Sequence, residues 1–372
     1  MLGLYLHVPF CSSICNYCNF NRGLFDGPLK TRYVAALREE IQRAGRGEAA
    51  DTIYFGGGTP SLLEPDEIAG LIDVCRSVFQ LAEDAEITLE TNPETSSPAR
   101  LAAFRAAGVN RLSFGVQSFQ DSELARLGRV HSSARARNAV TEARVTGCDN
   151  VSLDLMMWLP GQSVDDWLAN VKALIDVRPE HVSFYLLELY PNAPLKDDMA
   201  RAGWSLAPDE DAATMYLEGL AMLDAAGYGQ YEISNACVTG RASRHNMKYW
   251  SDGEWHGFGC GAHSTRQGVR WHNVSSTSEY VDRIVAGASP IADRRRMTAA
   301  ERVEEAMFTG LRLTRGVDVG EVGGRYGVDV WQRFGPGLRP FVDSGVLVRE
   351  GSRIRLSREG MLVANEVMQV FV

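Results

Sequence analysis

Three cysteines within eight residues, Cys11, Cys15 and Cys18, constrain this chain more than any other feature. They follow a short apolar run, Leu4-Tyr5-Leu6-His7-Val8, readable as a strand that feeds directly into the loop beginning at Pro9. At C-x3-C-x2-C spacing the thiolates share one small volume, and soft sulfur ligands suit an iron–sulfur cluster. A complete 4Fe–4S cluster takes four protein ligands, so three cysteines leave one iron with an open position. An open position separates a reactive metal site from a closed structural one. A zinc knuckle, with His7 or a distant residue as fourth ligand, is the competing reading of this loop.

A second stretch bears on that choice. Asp51-Thr52-Ile53-Tyr54-Phe55 reads as a strand and runs into Gly56-Gly57-Gly58-Thr59-Pro60. Successive glycines let a ligand approach main-chain amides and carbonyls, because no Cβ intervenes. Tyr5-x-His7-x-Pro9-Phe10-Cys11 followed by this GGGTP turn resembles the radical S-adenosylmethionine (SAM) superfamily, and within it the coproporphyrinogen III dehydrogenase-like group. Dehydrogenases of that group carry a fourth cysteine two residues past the third, where Phe20 stands here. They also carry a long N-terminal arm, whereas ten residues precede Cys11. Both departures resemble the HemW-type heme chaperones. The resemblance implies a 4Fe–4S cluster on Cys11, Cys15 and Cys18, with SAM at the open iron, rather than zinc.

The remaining cysteines, Cys75, Cys148, Cys237 and Cys260, are scattered, so a reducing, cytoplasmic location is expected. No apolar run approaches the roughly 20 residues of a membrane span, and no signal-peptide pattern precedes the first strand. The net charge of −9 is wrong for a general nucleic-acid binder.

Short apolar runs alternate with amphipathic stretches through the first half. Strands are predicted at Leu4–Val8, Asp51–Phe55, Ala85–Glu90, Arg111–Val116, Val151–Met157 and His181–Leu187. Helices are predicted at Thr31–Arg43, Asp66–Gln80, Ala99–Ala107, Ser132–Thr146 and Val164–Val177. Such alternation gives an α/β fold with a parallel sheet and helices outside it. Six units are too few to close an eight-fold barrel, so a partial, three-quarter, about six-stranded β/α barrel is expected, as the resemblance also implies. Parallel barrels place chemistry at the carboxyl ends of their strands.

The strand ends bear this out as a pattern of polar residues. Glu90-Thr91-Asn92-Pro93 follows the third predicted strand and Gly115-Val116-Gln117-Ser118 ends the fourth; Arg129 lies shortly after, and Asp154 interrupts an apolar fifth strand. Singly each reads as an ordinary turn, rim or core residue; together they suit a zwitterionic ligand. The resemblance implies SAM contacts from Tyr5, Gly57, Gly58, Thr59, Glu90, Gln117, Arg129 and Asp154, with Tyr17 beside the adenine. It further implies one-electron transfer from cluster to sulfonium, releasing a 5′-deoxyadenosyl radical. Trp158, where the family has a small residue, either narrows the pocket or fills core.

The division expected is a barrel over 1–200, an extension over 201–296 and a C-terminal domain over 297–372. In the extension, Pro208–Gly227 reads as a helix and Tyr231–Ser234 as a short strand. His245-Asn246-x-x-Tyr249-Trp250 resembles the motif linked to heme binding in the chaperones, with His245 as candidate axial ligand; packing is the equal alternative. Cys260 and His263 are weaker ligand candidates. The C-terminal part reads as helices at Glu301–Leu313, Asp318–Tyr326 and Trp331–Phe341, a hairpin of Val346–Arg349 and Arg353–Leu356, and a final helix capped by Ser357. That order is winged-helix-like. From Thr298 to Val372, however, ten arginines meet ten acidic residues with no lysine, which is poor for phosphate binding.

The expected function is a heme chaperone, with heme as cargo and heme-accepting proteins, membrane-associated respiratory enzymes among them, as partners. A homodimer is compatible with this reading. The alternative is a radical SAM enzyme acting on a tetrapyrrole, such as coproporphyrinogen III dehydrogenase, although that activity is not expected. A DNA-binding regulator with a redox-sensing cluster fits neither the charge balance nor the full set of rim residues.

Overall fold

Six parallel strands set the architecture of the computed structural model, which describes residues 1–45 and 47–372. They are β1 (Leu2–Val8), β2 (Ala49–Gly57), β3 (Gln80–Thr91), β4 (Arg111–Gln117), β5 (Val151–Met157) and β6 (His181–Leu186), adjacent in that order. Between them run helices α1 (Gly27–Arg43), α2 (Pro65–Val78), α3 (Pro98–Ala106), α4 (Asp121–Arg126), α5 (Ser133–Val145) and α6 (Val164–Val177). Their starts are written locally: Asp26, Ser97, Ser132 and Ser163 each accept a hydrogen bond from a first-turn N–H.

The strands alternate in a way that divides core from lumen. Ile53 and Phe55, Ile87 and Leu89, Leu112 and Phe114, and Leu153 and Leu155 are buried in the main apolar core, which lies between the sheet and its helices. The intervening residues point the other way, and most are polar: Thr52 and Tyr54, Glu86 and Glu90, Arg111 and Ser113, Ser152 and Asp154, His181 and Tyr185. The barrel is therefore lined with hydrogen-bonding groups rather than packed with aliphatics.

Residues expected as an extension supply both edges of this sheet. After α7 (Pro194–Ala202) and α8 (Asp209–Ala225), β7 (Gly229–Glu232) and β8 (Asn235–Cys237) add antiparallel strands beside β6. The strand expected at Tyr231–Ser234 thus ends at Glu232 and turns. Helix α9 (Arg244–Trp250) precedes β9 (Trp255–Phe258), which joins β1 in parallel, Tyr5 opposite Gly257. β10 (His263–Arg266), β11 (Val269–Asn273) and, after α10 (Thr277–Val285), β12 (Ile291–Arg296) complete a twelve-stranded sheet. The six expected strands form its centre, and β9 extends the parallel run to seven.

The C-terminal part carries α11 (Ala299–Gly310), α12 (Val319–Tyr326) and α13 (Val330–Asp343), then the hairpin β13 (Leu347–Glu350) and β14 (Arg353–Leu356), which pairs with Val317–Asp318. This is the winged-helix order. The last segment is not the continuous helix expected: two 3-10 turns flank a short α14 (Ala364–Met368). Ser357 still performs a capping role, accepting from the Gly360 N–H at 3.0 Å. Among the described residues, no helix is long and apolar enough to cross a membrane.

Candidate functional site

A cavity of about 280 Å³ opens at the carboxyl ends of the parallel strands. Cys11, Cys15 and Cys18 line it together with Tyr17, Gly57, Gly58, Thr59, Glu90, Gln117, Arg129 and Asp154. All seven cysteines are free thiols. No trio of His, Cys, Asp or Glu side chains among the described residues is gathered as a site for a single metal ion. His7, the nearby candidate for a zinc knuckle's fourth ligand, is buried with its Nδ1 3.1 Å from the Tyr5 hydroxyl and its Nε2 2.8 Å from the Asn21 carbonyl. Both nitrogens are thus engaged, and burial lowers the ring pKa to about 4. The cluster loop instead returns to the barrel through His7.

The glycine turn has a structural reason for its glycines besides the ligand approach expected of it. A Cβ on Gly57, whose φ is +120°, would stand 2.5 Å from the His7 ring, and one on Gly58 would stand 2.7 Å from the Phe10 carbonyl. The protein's own His7 and cluster loop fill the space a side chain would need. The turn is fastened to the rim by the Gly57 N–H, which donates to Glu90 Oε2 at 3.1 Å.

The rim residues form a connected set. Arg129 donates to Asn92 Oδ1 and the Gly115 carbonyl, each at 2.7 Å, and its Nη1 reaches Cys15 Sγ at 3.4 Å. Its Nε is buried with no partner, a donor available to an incoming anion. Thr59 lies 3.7 Å from Cys11 Sγ and accepts from the Asn92 amide. Glu90 also accepts from the Tyr54 hydroxyl at 2.7 Å, yet burial raises its pKa. Burial, then the charge of Glu90, pushes Asp154 up to about 7. Two carboxyls held back from ionising in one cavity are arranged for a cationic ligand, which would restore both charges. Gln117, at φ +68°, ends β4 and accepts from the Tyr185 hydroxyl at 2.7 Å.

Of the expected contacts, Tyr5 does not line this cavity. It lies behind the glycine turn, stacked on Tyr54 at 6.2 Å, and Tyr54 faces the cavity in its place. Tyr54, Tyr185, Arg22, Ser113 and Ser183 are among the lining residues that sequence reasoning missed, whereas Asn92, read with Glu90 from one strand end, lines the cavity as that pattern suggests. Trp158 does not narrow the pocket; at φ +63° its indole donates to the Ala207 carbonyl.

The chain matches the radical SAM superfamily over residues 5–174 and the HemN C-terminal domain over 297–363. It is 36% identical to the heme chaperone HemW of Bacillus subtilis, covering 100% of this chain and 99% of that one. The chain belongs to the HemW family. The heme chaperone HemW of Mycobacterium tuberculosis is 38% identical, with 100% and 94% covered. The fold is that of Escherichia coli coproporphyrinogen III oxidase (HemN), at a TM-score of 0.88 and 21% identity over 100% of this chain and 89% of that one. Membership of the radical SAM superfamily implies a 4Fe–4S cluster and SAM. The three thiols, the orphaned Arg129 Nε and the two carboxyls of this cavity fit both.

In this HemW-family chain the histidine of the HNxxYW helix is elsewhere. His245 is 1% exposed and closes the opposite, amino end of the lumen. Its Nδ1 meets Thr52 Oγ1 at 2.8 Å and its Nε2 meets the Tyr249 hydroxyl at 2.9 Å. Glu86 accepts from the backbone N–H groups of Arg244 and His245, fixing the start of α9. Burial, with Lys248 nearby, lowers the His245 pKa to about 3. Packing, not an open nitrogen for heme iron, is what this geometry provides. Cys260 is likewise buried, beside Tyr33, Asn21 and Thr277.

Proposed function

We propose that this protein is a heme chaperone that binds heme and delivers it to acceptor proteins, with a cluster held by Cys11, Cys15 and Cys18. Its end-to-end identity to proteins named heme chaperone HemW carries the reading. SAM, when bound beside such a cluster, would supply one-electron chemistry at its sulfonium. The chain's own residues do the positioning: Arg129 Nε offers the free donor for the methionyl carboxylate, a bond guanidinium geometry favours. Glu90 and Asp154 balance cationic charge, and Tyr17 covers the cavity beside the cluster loop. Respiratory enzymes at the membrane fit as acceptors, and no nucleic-acid partner is proposed.

The test pairs two assays on anaerobically reconstituted protein. Saturable heme binding without decarboxylation of coproporphyrinogen III supports the chaperone. Multi-turnover decarboxylation would replace it with the tetrapyrrole-enzyme reading.

A further inference from the structure

We propose that heme binds in the groove between the barrel rim and the last turns of the chain, beside the cluster cavity, with no contact from His245. This site rests on the heme-chaperone reading above. The groove has a volume of about 420 Å³, within the roughly 300–1,000 Å³ of ligand sites. It shares Tyr17, Cys18, Phe20 and Tyr185 with the cluster cavity, so the two adjoin across these side chains.

Its walls are unusual for a protein surface. Phe20 is 64% exposed, Leu186 42%, Leu362 40% and Tyr190 38%, all around one opening. Large apolar side chains gathered at one mouth mark a binding surface rather than the scattered exposure of an ordinary one. Met156, Met361 and Met368 line the interior, adaptable side chains suited to a flat apolar body. A larger cavity of about 640 Å³ lies beside the C-terminal hairpin, but there Arg325, Arg353 and Arg355 are paired with Asp252, Asp318 and Glu350. Its walls also carry Asp252, Asp318, Glu321 and Glu350, four carboxylates that would face the acid groups of an anionic occupant.

Among the described residues the groove has one cation, Arg312. Its Nη2 donates to Glu232 at 3.0 Å, its guanidinium lies 4.4 Å from the Trp250 ring, and its Nε is buried without a partner. An occupant that is flat and apolar with acid groups at one edge matches this arrangement, and heme with its two propionates is such a molecule. The stack also gives the HNxxYW helix a role. Trp250 ends α9 and holds Arg312, so the helix serves heme by positioning that guanidinium, while His245 anchors the helix from below.

The test titrates the reconstituted full-length chain with hemin and with hemin dimethyl ester, following the Soret band. Phe20→Asp and Leu362→Asp sit at exposed positions, so the fold does not depend on them, and each is expected to weaken hemin binding about tenfold or more. Arg312→Gln is expected to weaken hemin about tenfold while leaving the dimethyl ester unchanged. If that variant fails to fold because Glu232 is stranded, the two aspartate variants decide. Wild-type affinity in both aspartate variants overturns the groove and leaves the chaperone reading standing. Absence of saturable hemin uptake by the wild type overturns both.

Discussion

The two ends of the barrel lumen are made of the same material and finished differently. At the amino end, Thr52, Glu86, Ser152 and His181 point inward, and each meets a protein partner: His245 on Thr52, the α9 amides on Glu86, His181 on both Ser152 and Tyr231. At the carboxyl end, two to four residues further along the same strands, Glu90 and Asp154 have raised pKa values, and Arg129 beside them keeps an unpartnered nitrogen. Inward polarity alone does not mark a site, and neither does one orphaned donor, since Arg111 at the start of β4 also keeps an unpartnered Nε. What marks the carboxyl end is the combination: an unpartnered guanidinium nitrogen and two carboxyls with raised pKa values, open to one cavity beside three thiols.

The sharpest way to break this comparison is to remove a cluster ligand. Cys11→Ser, Cys15→Ser or Cys18→Ser should each abolish the iron and sulfide content and the visible absorbance of reconstituted protein, while Cys260→Ser keeps both. Retention in Cys15→Ser with loss in Cys260→Ser would move the metal centre off the carboxyl-end cavity. Next in size, His245→Ala should cost roughly 2–5 kcal/mol in denaturant unfolding, because it leaves a cavity and strands Thr52 and Tyr249. The cluster spectrum and any heme spectrum should stay as in the wild type. A shifted Soret band at unchanged stability would make the amino end a site after all.

Smaller effects sharpen the carboxyl end. Arg129→Ala should weaken SAM binding by about 1.5–3 kcal/mol, measured by calorimetry under anaerobic conditions. Unchanged affinity would remove the guanidinium from the ligand set. The smallest expected effect is a pH dependence. The folded pKa of Asp154 is raised to about 7, above its ordinary range. Its contribution to the stability of the SAM-free protein is therefore present at low pH and lost as pH rises through about 7. SAM carries net positive charge, so its affinity should rise over the same window and level off above it. Asp154→Asn should flatten both profiles; a slope that persists would assign the titration to another group.

Much of this was legible because the strands speak twice, once to the helices and once to the lumen. Val151–Met157 and Val164–Val177 were readable residue for residue, since one face of each is aliphatic and its ends carry capping or turn signals. The cavity was legible as a set of strand-end residues. What could not be read was the choice between Tyr5 and Tyr54, register partners on adjacent strands, because only the path of the glycine turn decides which ring faces the ligand. The role of His245 was hidden for a related reason. His245 and Tyr249, four residues apart, share a helix face by spacing alone, but whether that face meets solvent or the lumen is a tertiary fact. The edge strands were missed because β9 to β12 are short, polar and carry little alternation.

A sheet that stops short of closure leaves a rim of unpaired backbone, the usual seed of filaments and swapped assemblies. Here one of the two outermost strands, β12, bears Arg294, Arg295 and Arg296 in succession, all exposed. Two copies pairing β12 against β12 would bring these guanidinium groups together, of which, among the described residues, only that of Arg295 has an acidic partner, Glu301, so the symmetric edge pairing is opposed by like charge. At the other edge, β7, the Tyr231 carbonyl already accepts from the Thr314 N–H and the Ile233 N–H donates to the Arg312 carbonyl, so the chain covers with its own backbone the edge it does not charge.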